Sequence, residues 1–169
     1  MAQIRNLSLA QVKKEAAEKY KNTTVLTFEN GTKIDVDLVL RPSKITKLKT
    51  ELIDVLSDAM EQKKKLDAPT LFAIQTMLVV KYFTSIKADV KGYDGLLDML
   101  YTLNDGNYTN KILESFDPAQ LGIVYKDIDE TLKLINHAIE EKLNEINNTE
   151  ASSSKPEGPA VTKRGKKNA

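Results

Sequence analysis

The sequence of 169 residues contains no cysteine, no tryptophan and a single histidine, His137. The lack of cysteine excludes disulfide scaffolds, thiolate zinc sites, iron–sulfur clusters and cysteine nucleophiles, and one histidine removes most histidine-based metal sites and triads. Glycine-rich phosphate loops, nucleophile elbows and dinucleotide-binding fingerprints are also missing from the sequence. We therefore expect a protein that is not an enzyme and binds no cofactor.

Long apolar runs are absent as well. The longest unbroken run of bulky apolar residues is Met77 to Val80, and Lys81 closes it. The first residues, Met1 to Asn6, lack the apolar stretch of a secretory signal. A membrane span needs about 20 apolar residues, so we expect no membrane association and a cytoplasmic location.

Charge of one sign is not in excess, because 25 Lys and Arg stand against 24 Asp and Glu. Five basic and only two acidic residues follow Asn147, so the basic excess is confined to the end of the chain. A basic end on a nearly neutral body is typical of a solvated terminus. The balance therefore argues against nucleic acid as the partner.

Apolar residues recur at every second position between residues 23 and 40, on both sides of Asn30-Gly31. They are Leu26 and Phe28 before the turn, and Ile34, Val36, Leu38 and Leu40 after it. A two-residue turn would set Leu26 opposite Asp35, whereas a three-residue loop with a left-handed Gly31 sets Leu26 opposite Ile34 and makes one face continuously apolar. The pattern predicts an antiparallel hairpin over 23–40 with this bulged turn. Two strands alone are marginal in water, so we expect the apolar face to lie on helices or on another subunit's strands.

Helical spacing accounts for most of the remaining chain up to residue 147. Ser8 caps a first helix that runs to about Tyr20, and Ser43 caps a second one after Pro42. The third helix has Pro69 in its first turn and is apolar on nearly all sides, which is typical of a central helix. Two short helices follow it.

Asp117 and Pro118 open the longest helix. Its bulky apolar residues keep one narrow stripe, because they are spaced three or four apart; they are Leu121, Val124, Ile128, Leu132, Ile135, Ile139, Leu143 and Ile146. Such a stripe is either buried within its own domain, which we favour, or joins a second copy in a homo-oligomer. From residue 148 onward Ser, Pro, Gly and Lys dominate, so we expect a helical domain over 1–147 and a disordered tail over 148–169. The fold class is α+β, mainly α, with one antiparallel hairpin near the N-terminus.

Other groups of polar residues do not assemble into a site. His137 lies beside the apolar stripe without a second histidine, so we expect a surface or half-buried position for it. Asp127 and Glu130 are neighbours on a helix and fit a solvated face. The segment 104–107 contains the Asn-Asp-Gly-Asn of a calcium loop, but the required ligand positions hold apolar or aromatic residues. We expect no metal.

The order of elements resembles the tail assembly chaperones of long-tailed bacteriophages. The likeness is carried by the hairpin from Leu26 to Leu40 with Arg41-Pro42-Ser43, by the segment 79–84 (Val-Val-Lys-Tyr-Phe-Thr), and by the helix from Asp117 to Ile139. It spans most of residues 23–146. The resemblance implies a small protein of the host cytoplasm that binds the tape-measure protein and assists assembly of the tail-tube protein, without being part of the virion.

On this resemblance, the hairpin face and the long helical stripe offer grooves for a partner's amphipathic helices. The implied partner-binding residues are Leu26, Phe28, Ile34, Val36, Leu132, Ile139 and Leu143. Members of the family are often made in two lengths by a ribosomal frameshift, and the Lys166-Lys167-Asn168 at the end is a sequence that slippery codons can encode. The resemblance thus implies that residues 148–169 link to a second domain in a longer product.

Overall fold

A computed structural model describes residues 6–153, without the side chains of Ile139 and of residues 142–153. The chain divides into two units, Met1–Ile128 and Asp129–Ala169. The elements are α1 (Leu9–Lys19), β1 (Thr23–Thr27), β2 (Lys33–Asp37), α2 (Pro42–Glu61), α3 (Ala68–Phe83), α4 (Gly92–Asp105), α5 (Thr109–Glu114) and α6 (Pro118–Ser153). All of them lie in the first unit except the later part of α6. The predicted fold class, mainly helical with one antiparallel hairpin near the N-terminus, is confirmed.

The hairpin has the register that the alternation of apolar residues predicts. Leu26 pairs with Ile34 and Thr24 pairs with Val36. The Gly31 N–H donates to the Phe28 carbonyl at 2.9 Å, and Gly31 is left-handed with φ +80°. The three-residue loop is therefore confirmed, because this loop places Leu26, Ile34 and Val36 on one face, whereas a two-residue turn would set Leu26 opposite Asp35.

The apolar face of the hairpin is covered by the protein's own chain. Ile34 and Val36 are buried, and Val36 forms an isolated antiparallel bridge with Thr84, just after α3. The Ser85 N–H donates to the Asp35 carbonyl, and the Asp35 N–H donates to Ser85 Oγ, both at 2.8 Å. These bonds close the free edge of β2, which would otherwise expose unpaired backbone groups.

The third helix is central, as predicted. Its buried side chains cover all sides of its C-terminal half; they are Ile74, Thr76, Met77, Leu78, Val79, Val80 and Phe83. On α2, in contrast, the buried residues form one stripe, at Ile45, Leu48, Leu52, Val55, Leu56 and Ala59. This difference follows from the sequence, because α2 alternates apolar and charged residues whereas α3 has no charge before Lys81.

Helix starts agree with the predicted caps in two of three cases. Ser8 Oγ accepts from the Gln11 N–H at 3.2 Å, and Asp117 Oδ1 accepts from the Ala119 N–H at 2.7 Å. The third helix has a cap that was not predicted, Asp67. The assignment of Ser43 as the cap of α2 is wrong, because Pro42 is already helical and Arg41 is the N-cap residue. Proline fits the first helical position well, since its missing N–H would have no partner there.

Two helices end on a left-handed residue that is not glycine. After α4, Asn107 has φ +58°; its N–H donates to the Asn104 carbonyl and the Tyr108 N–H donates to the Leu103 carbonyl. This pattern is a Schellman motif with asparagine in the left-handed position. Gly106 is the C-cap residue of α4, and a Cβ there would collide with the Tyr108 ring.

The second left-handed residue, Lys63, gives a stability prediction. It follows α2 with φ +53°, and its N–H donates to the Met60 carbonyl at 3.1 Å. Because a β-carbon is disfavoured in this conformation, we expect Lys63→Gly to raise the free energy of unfolding by about 0.5–1 kcal/mol in urea denaturation. Lys91→Gly is the control, since Lys91 is extended with φ −138°, and it should be neutral or destabilising. Equal effects of the two substitutions would contradict the backbone explanation.

The last helix continues past the predicted end of the domain. It ends at Ser153, so residues 148–153, assigned to the tail from composition, are helical. Once a helix is formed, each further residue adds one backbone hydrogen bond, and Glu150 and Ala151 favour continuation. The rest of the predicted tail, residues 154–169, lies outside the described residues.

Candidate partner-binding surface

The hairpin residues predicted to bind a partner lie mainly in the core. Phe28 is 7% exposed, Ile34 8% and Val36 0%, whereas Leu26 is half-buried. Their apolar side chains are covered by the same chain, so the three buried ones present no surface to a partner. The edge of β2 is closed as well, by Thr84 and Ser85 from about fifty positions later in the sequence.

The predicted residues on the long helix belong to the second unit. Leu132 is half-buried there. The side chains of Ile139 and Leu143 lie outside the described residues. The helical stripe thus stays a prediction at these two positions.

An exposed aromatic pair lies where α3 and the first part of α6 meet. The Phe72 ring is 59% exposed and stacks on the Tyr125 ring, with 5.9 Å between centroids and 25° between planes. Pro69 precedes Phe72 by three residues, and Gly122 precedes Tyr125 by three, so each lies on the same helix face as its aromatic partner. Pro69 and Gly122 are also exposed. We call these four residues the aromatic patch.

The four residues of the aromatic patch are uncharged, and a hydrogen bond to the buried Thr76 fixes the ring of Tyr125. The helix α3 has no charged residue from Ala68 to Val80. The Tyr125 hydroxyl shares a hydrogen bond of 3.3 Å with the hydroxyl of buried Thr76, and burial raises the pKa of Tyr125. Because the phenol stays protonated and anchored, the ring of Tyr125 forms a fixed floor for Phe72. A Cβ at Gly122 would meet nothing within 4 Å, so there is space for an incoming side chain.

A second exposed apolar surface is the first helix. None of its residues is buried; Leu9 is 71% exposed, and Val12, three residues later on the same side of the helix, is 39% exposed. Its C-terminal end is held by Tyr20, whose ring centroid lies 5.2 Å from the guanidinium carbon of Arg41. The apolar side of this helix is therefore exposed, which is typical of a partner-binding element.

A charged cluster joins α2, α3 and the segment before α4. The Lys81 ammonium lies 2.6 Å from Glu51 Oε1 and donates to the Val90 carbonyl at 2.8 Å, while the Tyr82 hydroxyl donates to Glu51 Oε2 at 2.7 Å. Burial and the hydrogen bond to Glu51 raise the pKa of Tyr82 to about 12. At neutral pH a phenol with this pKa keeps its proton and donates a hydrogen bond to the Glu51 carboxylate, so Tyr82 acts as a structural link in the cluster.

A polar cleft of about 360 Å³ lies at the tip of the hairpin. There the Asn30 side-chain amide donates to the Tyr108 hydroxyl at 2.8 Å, and the Phe28 and Tyr108 rings meet edge to face at 4.7 Å. Lys111 pairs with Glu29 at 2.8 Å. These contacts use the polar groups of the cleft to hold the turn against the loop before α5.

His137 lies on the surface, in agreement with the prediction. Its side chain is 70% exposed and Nδ1 is 3.6 Å from Glu141 one turn later. Within residues 6–153, as far as side chains are described, His, Asp and Glu do not form a group of three that could hold a metal ion. Among the helices described, none is both long and apolar enough to cross a membrane.

The aromatic patch was not found from the sequence. Phe72 belongs to an apolar helix, and the apolar pattern alone assigns it to the core together with its buried neighbours. A signal was present in Pro69, because the first turn of a helix that begins at Ala68 is a place where side chains face solvent. The pattern could not show that α6 brings Tyr125 to the same place.

Comparison with protein families matches residues 9–163 to the model of a family described as YomO. The match covers most of the chain and includes α1, the hairpin and all later helices. No curated protein and no solved structure matches the chain.

Proposed function

The chain belongs to the YomO family, and from this premise we propose that it is a phage tail assembly chaperone. The family carries a name of the phage type, which suggests a phage protein. In this proposal the protein acts in the host cytoplasm, binds an amphipathic helical segment of the tape-measure protein, and keeps that protein soluble while the tail-tube protein assembles around it. The function requires no catalysis and no cofactor.

The observation that carries the proposal is the aromatic patch. A 59% exposed phenylalanine that is stacked on a fixed tyrosine, on a helix without charge from Ala68 to Val80, is the kind of anchor that dominates binding of apolar partners. A partner helix with apolar residues at every third or fourth position would cover both rings. The open space over Gly122 admits one side chain of such a helix.

The mechanism is mass action. A chaperone that binds the exposed apolar face of a soluble partner lowers the concentration of the species that aggregates, by an amount set by its own concentration and affinity. The apolar side of α1 supplies a second contact surface, and two weak contacts on one partner raise the overall affinity through effective concentration. The hairpin core positions the rest of the domain and does not take part in binding.

The test is co-expression of the tape-measure protein with the chain and with the Phe72→Ser variant. We expect the wild-type chain to move the tape-measure protein into the soluble fraction, and Phe72→Ser to lose most of this effect, since truncating a central aromatic anchor costs about 2 kcal/mol or more, or roughly thirtyfold in affinity. The matched control is Tyr101→Ser, because Tyr101 is 60% exposed on α4.

Two outcomes would count against the proposal in different ways. If the wild-type chain in excess leaves the tape-measure protein insoluble, the chaperone function is wrong. If the wild type, Phe72→Ser and Tyr101→Ser all solubilise the tape-measure protein equally, the function stands but the aromatic patch is not the binding surface.

A second candidate function is a helical adaptor or oligomerising module. The observation that favours it is the length of α6, which continues through Asp129–Ser153 in a unit of its own. The two functions differ in their partner, a tape-measure protein in the first case and a second protein copy or another adaptor target in the other.

A further inference from the structure

The apolar stripe of α6 has a period of eleven residues. Its residues form three series in which each member lies eleven positions after the one before. The first series is Leu121, Leu132 and Leu143, the second is Val124, Ile135 and Ile146, and the third is Ile128 and Ile139. A period of eleven corresponds to about 3.67 residues per turn, close to that of a straight α-helix. The stripe therefore stays on one side of α6 along its whole length without left-handed supercoiling.

The first repeat and the later repeats have different surroundings. Val124 and Ile128 are fully buried in the first unit. The second unit, taken by itself, contains one described element, the remainder of α6, and a single helix cannot bury its own stripe. Leu132 and Ile135 are half-buried there, while Leu134, which is off the stripe, is 72% exposed.

This part of α6 also has a sequence that forms a helix poorly by itself. Four of the residues in 129–153 are asparagine, at positions 136, 144, 147 and 148, and asparagine disfavours helix interiors. Isolated helices of modest length are marginal in water, and most helical stability in proteins comes from packing of the apolar side. A helix here is thus best explained by a surface that packs on the stripe.

The spacing of the stripe points to a second copy of the chain. It is symmetric about Ile139: Ile135 and Leu143 lie four residues on either side, and Leu132 and Ile146 lie seven residues on either side. Two antiparallel copies centred on Ile139 bring Leu132 of one opposite Ile146 of the other, and Ile135 opposite Leu143. We propose that residues 129–153 form an antiparallel α6–α6 homodimer with its two-fold axis at Ile139.

The size and chemistry of the surface fit a self-complementary interface. Burying a Leu or Ile side chain removes roughly 60–120 Å² of apolar surface, so the ten stripe side chains of two copies supply about 600–1,200 Å². A stable interface needs about 1,000 Å², which the residues beside the stripe bring within reach. The residues beside the stripe include the uncharged Thr131, Asn136 and Ala138 and the charged Lys142. In the antiparallel pair residue 142 of one copy lies opposite residue 136 of the other, so the two lysines are not placed against each other.

The homodimer uses a surface separate from the aromatic patch, so it stands or falls independently of the proposed function. Its geometry is testable because the natural chain has no cysteine. In the antiparallel pair the two copies of residue 139 meet at the axis, within the Cα distance of about 7 Å that a disulfide allows. The two copies of residue 132 are about 21 Å apart, since fourteen residues separate 132 from 146 along the helix.

The experiment combines sedimentation of the unmodified full chain with oxidation of single-cysteine variants. We expect the unmodified chain to sediment, with rising concentration, towards twice its monomer mass of 18.9 kDa. We expect Ile139→Cys to form a disulfide-linked dimer under mild oxidation. Leu132→Cys alone should stay monomeric, whereas an equimolar mixture of Leu132→Cys and Ile146→Cys should form the mixed dimer.

Leu134→Cys is the matched control, because Leu134 lies on the same helix but off the stripe. If the unmodified chain sediments as a monomer at every concentration, the homodimer is wrong. Self-linking of Leu132→Cys as readily as Ile139→Cys would show a parallel pair and overturn the antiparallel arrangement. Equal linking of Leu134→Cys and Ile139→Cys would show that the disulfides form by random collision, and it would also overturn the antiparallel homodimer.

Discussion

Val36→Asp should abolish folding of the hairpin domain, whereas Val25→Asp should leave the domain folded. Val36 is 0% exposed, pairs with Thr24 on β1 and bridges to Thr84. Burial of a carboxylate without a partner, together with the lost apolar contacts, costs about 4–5 kcal/mol or more, which is most of the stability of an ordinary domain. Val25 is 54% exposed on the other face of the same hairpin.

The control substitution, Val25→Asp, is itself expected to destabilise the domain slightly. Val25 lies directly opposite Asp35, so an aspartate there faces a like charge and should lower the free energy of unfolding by up to about 1 kcal/mol. Far-ultraviolet circular dichroism with urea denaturation measures both variants. Comparable losses from the two substitutions would mean that the apolar face of the hairpin is not the face that the domain buries.

The register of the hairpin was predictable from sequence because two independent patterns agree on it. The alternation of Leu26, Ile34 and Val36 requires one shared face, and the glycine of the turn permits the left-handed residue that this register needs. The caps at Ser8 and Asp117 are equally local. Features that depend on a few neighbouring residues are thus the ones that the sequence predicts well.

The errors have a common cause in contacts between distant segments. Alternation identifies the hairpin face that is buried, but it does not identify the contacts that the hairpin makes with distant segments, and here Thr84 and Ser85 close the edge of β2 from about fifty positions later in the sequence. Phe72 was read as core because the exposed position of a residue on an apolar helix depends on where α6 packs.

The same difference between local patterns and contacts of distant segments applies to the candidate surface. The sequence predicted apolar surfaces for a partner on the hairpin and on the long helix, and a lack of catalytic residues. The structure buries Phe28, Ile34 and Val36, and it leaves other apolar side chains exposed in the aromatic patch and on α1. Self-association through the stripe of α6, one of the two alternatives that the sequence left open, stays a proposal.

The charged cluster around Glu51 connects the core to the hairpin. Lys81 pairs with Glu51 and donates to the carbonyl of Val90, so it ties the segment between α3 and α4 to α2. The same segment begins with Thr84 and Ser85, which close the edge of β2. Loss of Glu51 should therefore weaken a link that reaches the hairpin as well as the local ion pair.

We expect Glu51→Ala to lower the free energy of unfolding by about 2–3 kcal/mol. Breaking a buried ion pair leaves the remaining charge without its partner and costs about 3–5 kcal/mol, and the smaller value applies because about a fifth of each side chain, 20% for Lys81 and 19% for Glu51, is exposed to water. Asp54→Ala is the control, since Asp54 is exposed one turn further along α2, and its effect should stay within about 0.5 kcal/mol.

The double variant Glu51→Leu with Lys81→Met separates the ion pair from simple loss of packing. Replacing both charges by apolar side chains of similar size removes the unpaired charge, so the double variant should be more stable than Glu51→Ala in urea denaturation.

Amide hydrogen exchange measures the link to the hairpin locally. In Glu51→Ala the Ser85 N–H, which donates to the Asp35 carbonyl, should exchange faster than in the wild type, by more than the loss in the free energy of global unfolding explains. If its exchange follows global unfolding alone, Glu51 stabilises the core without reaching the hairpin, and the link through Lys81 and Val90 is not what keeps the edge of β2 closed.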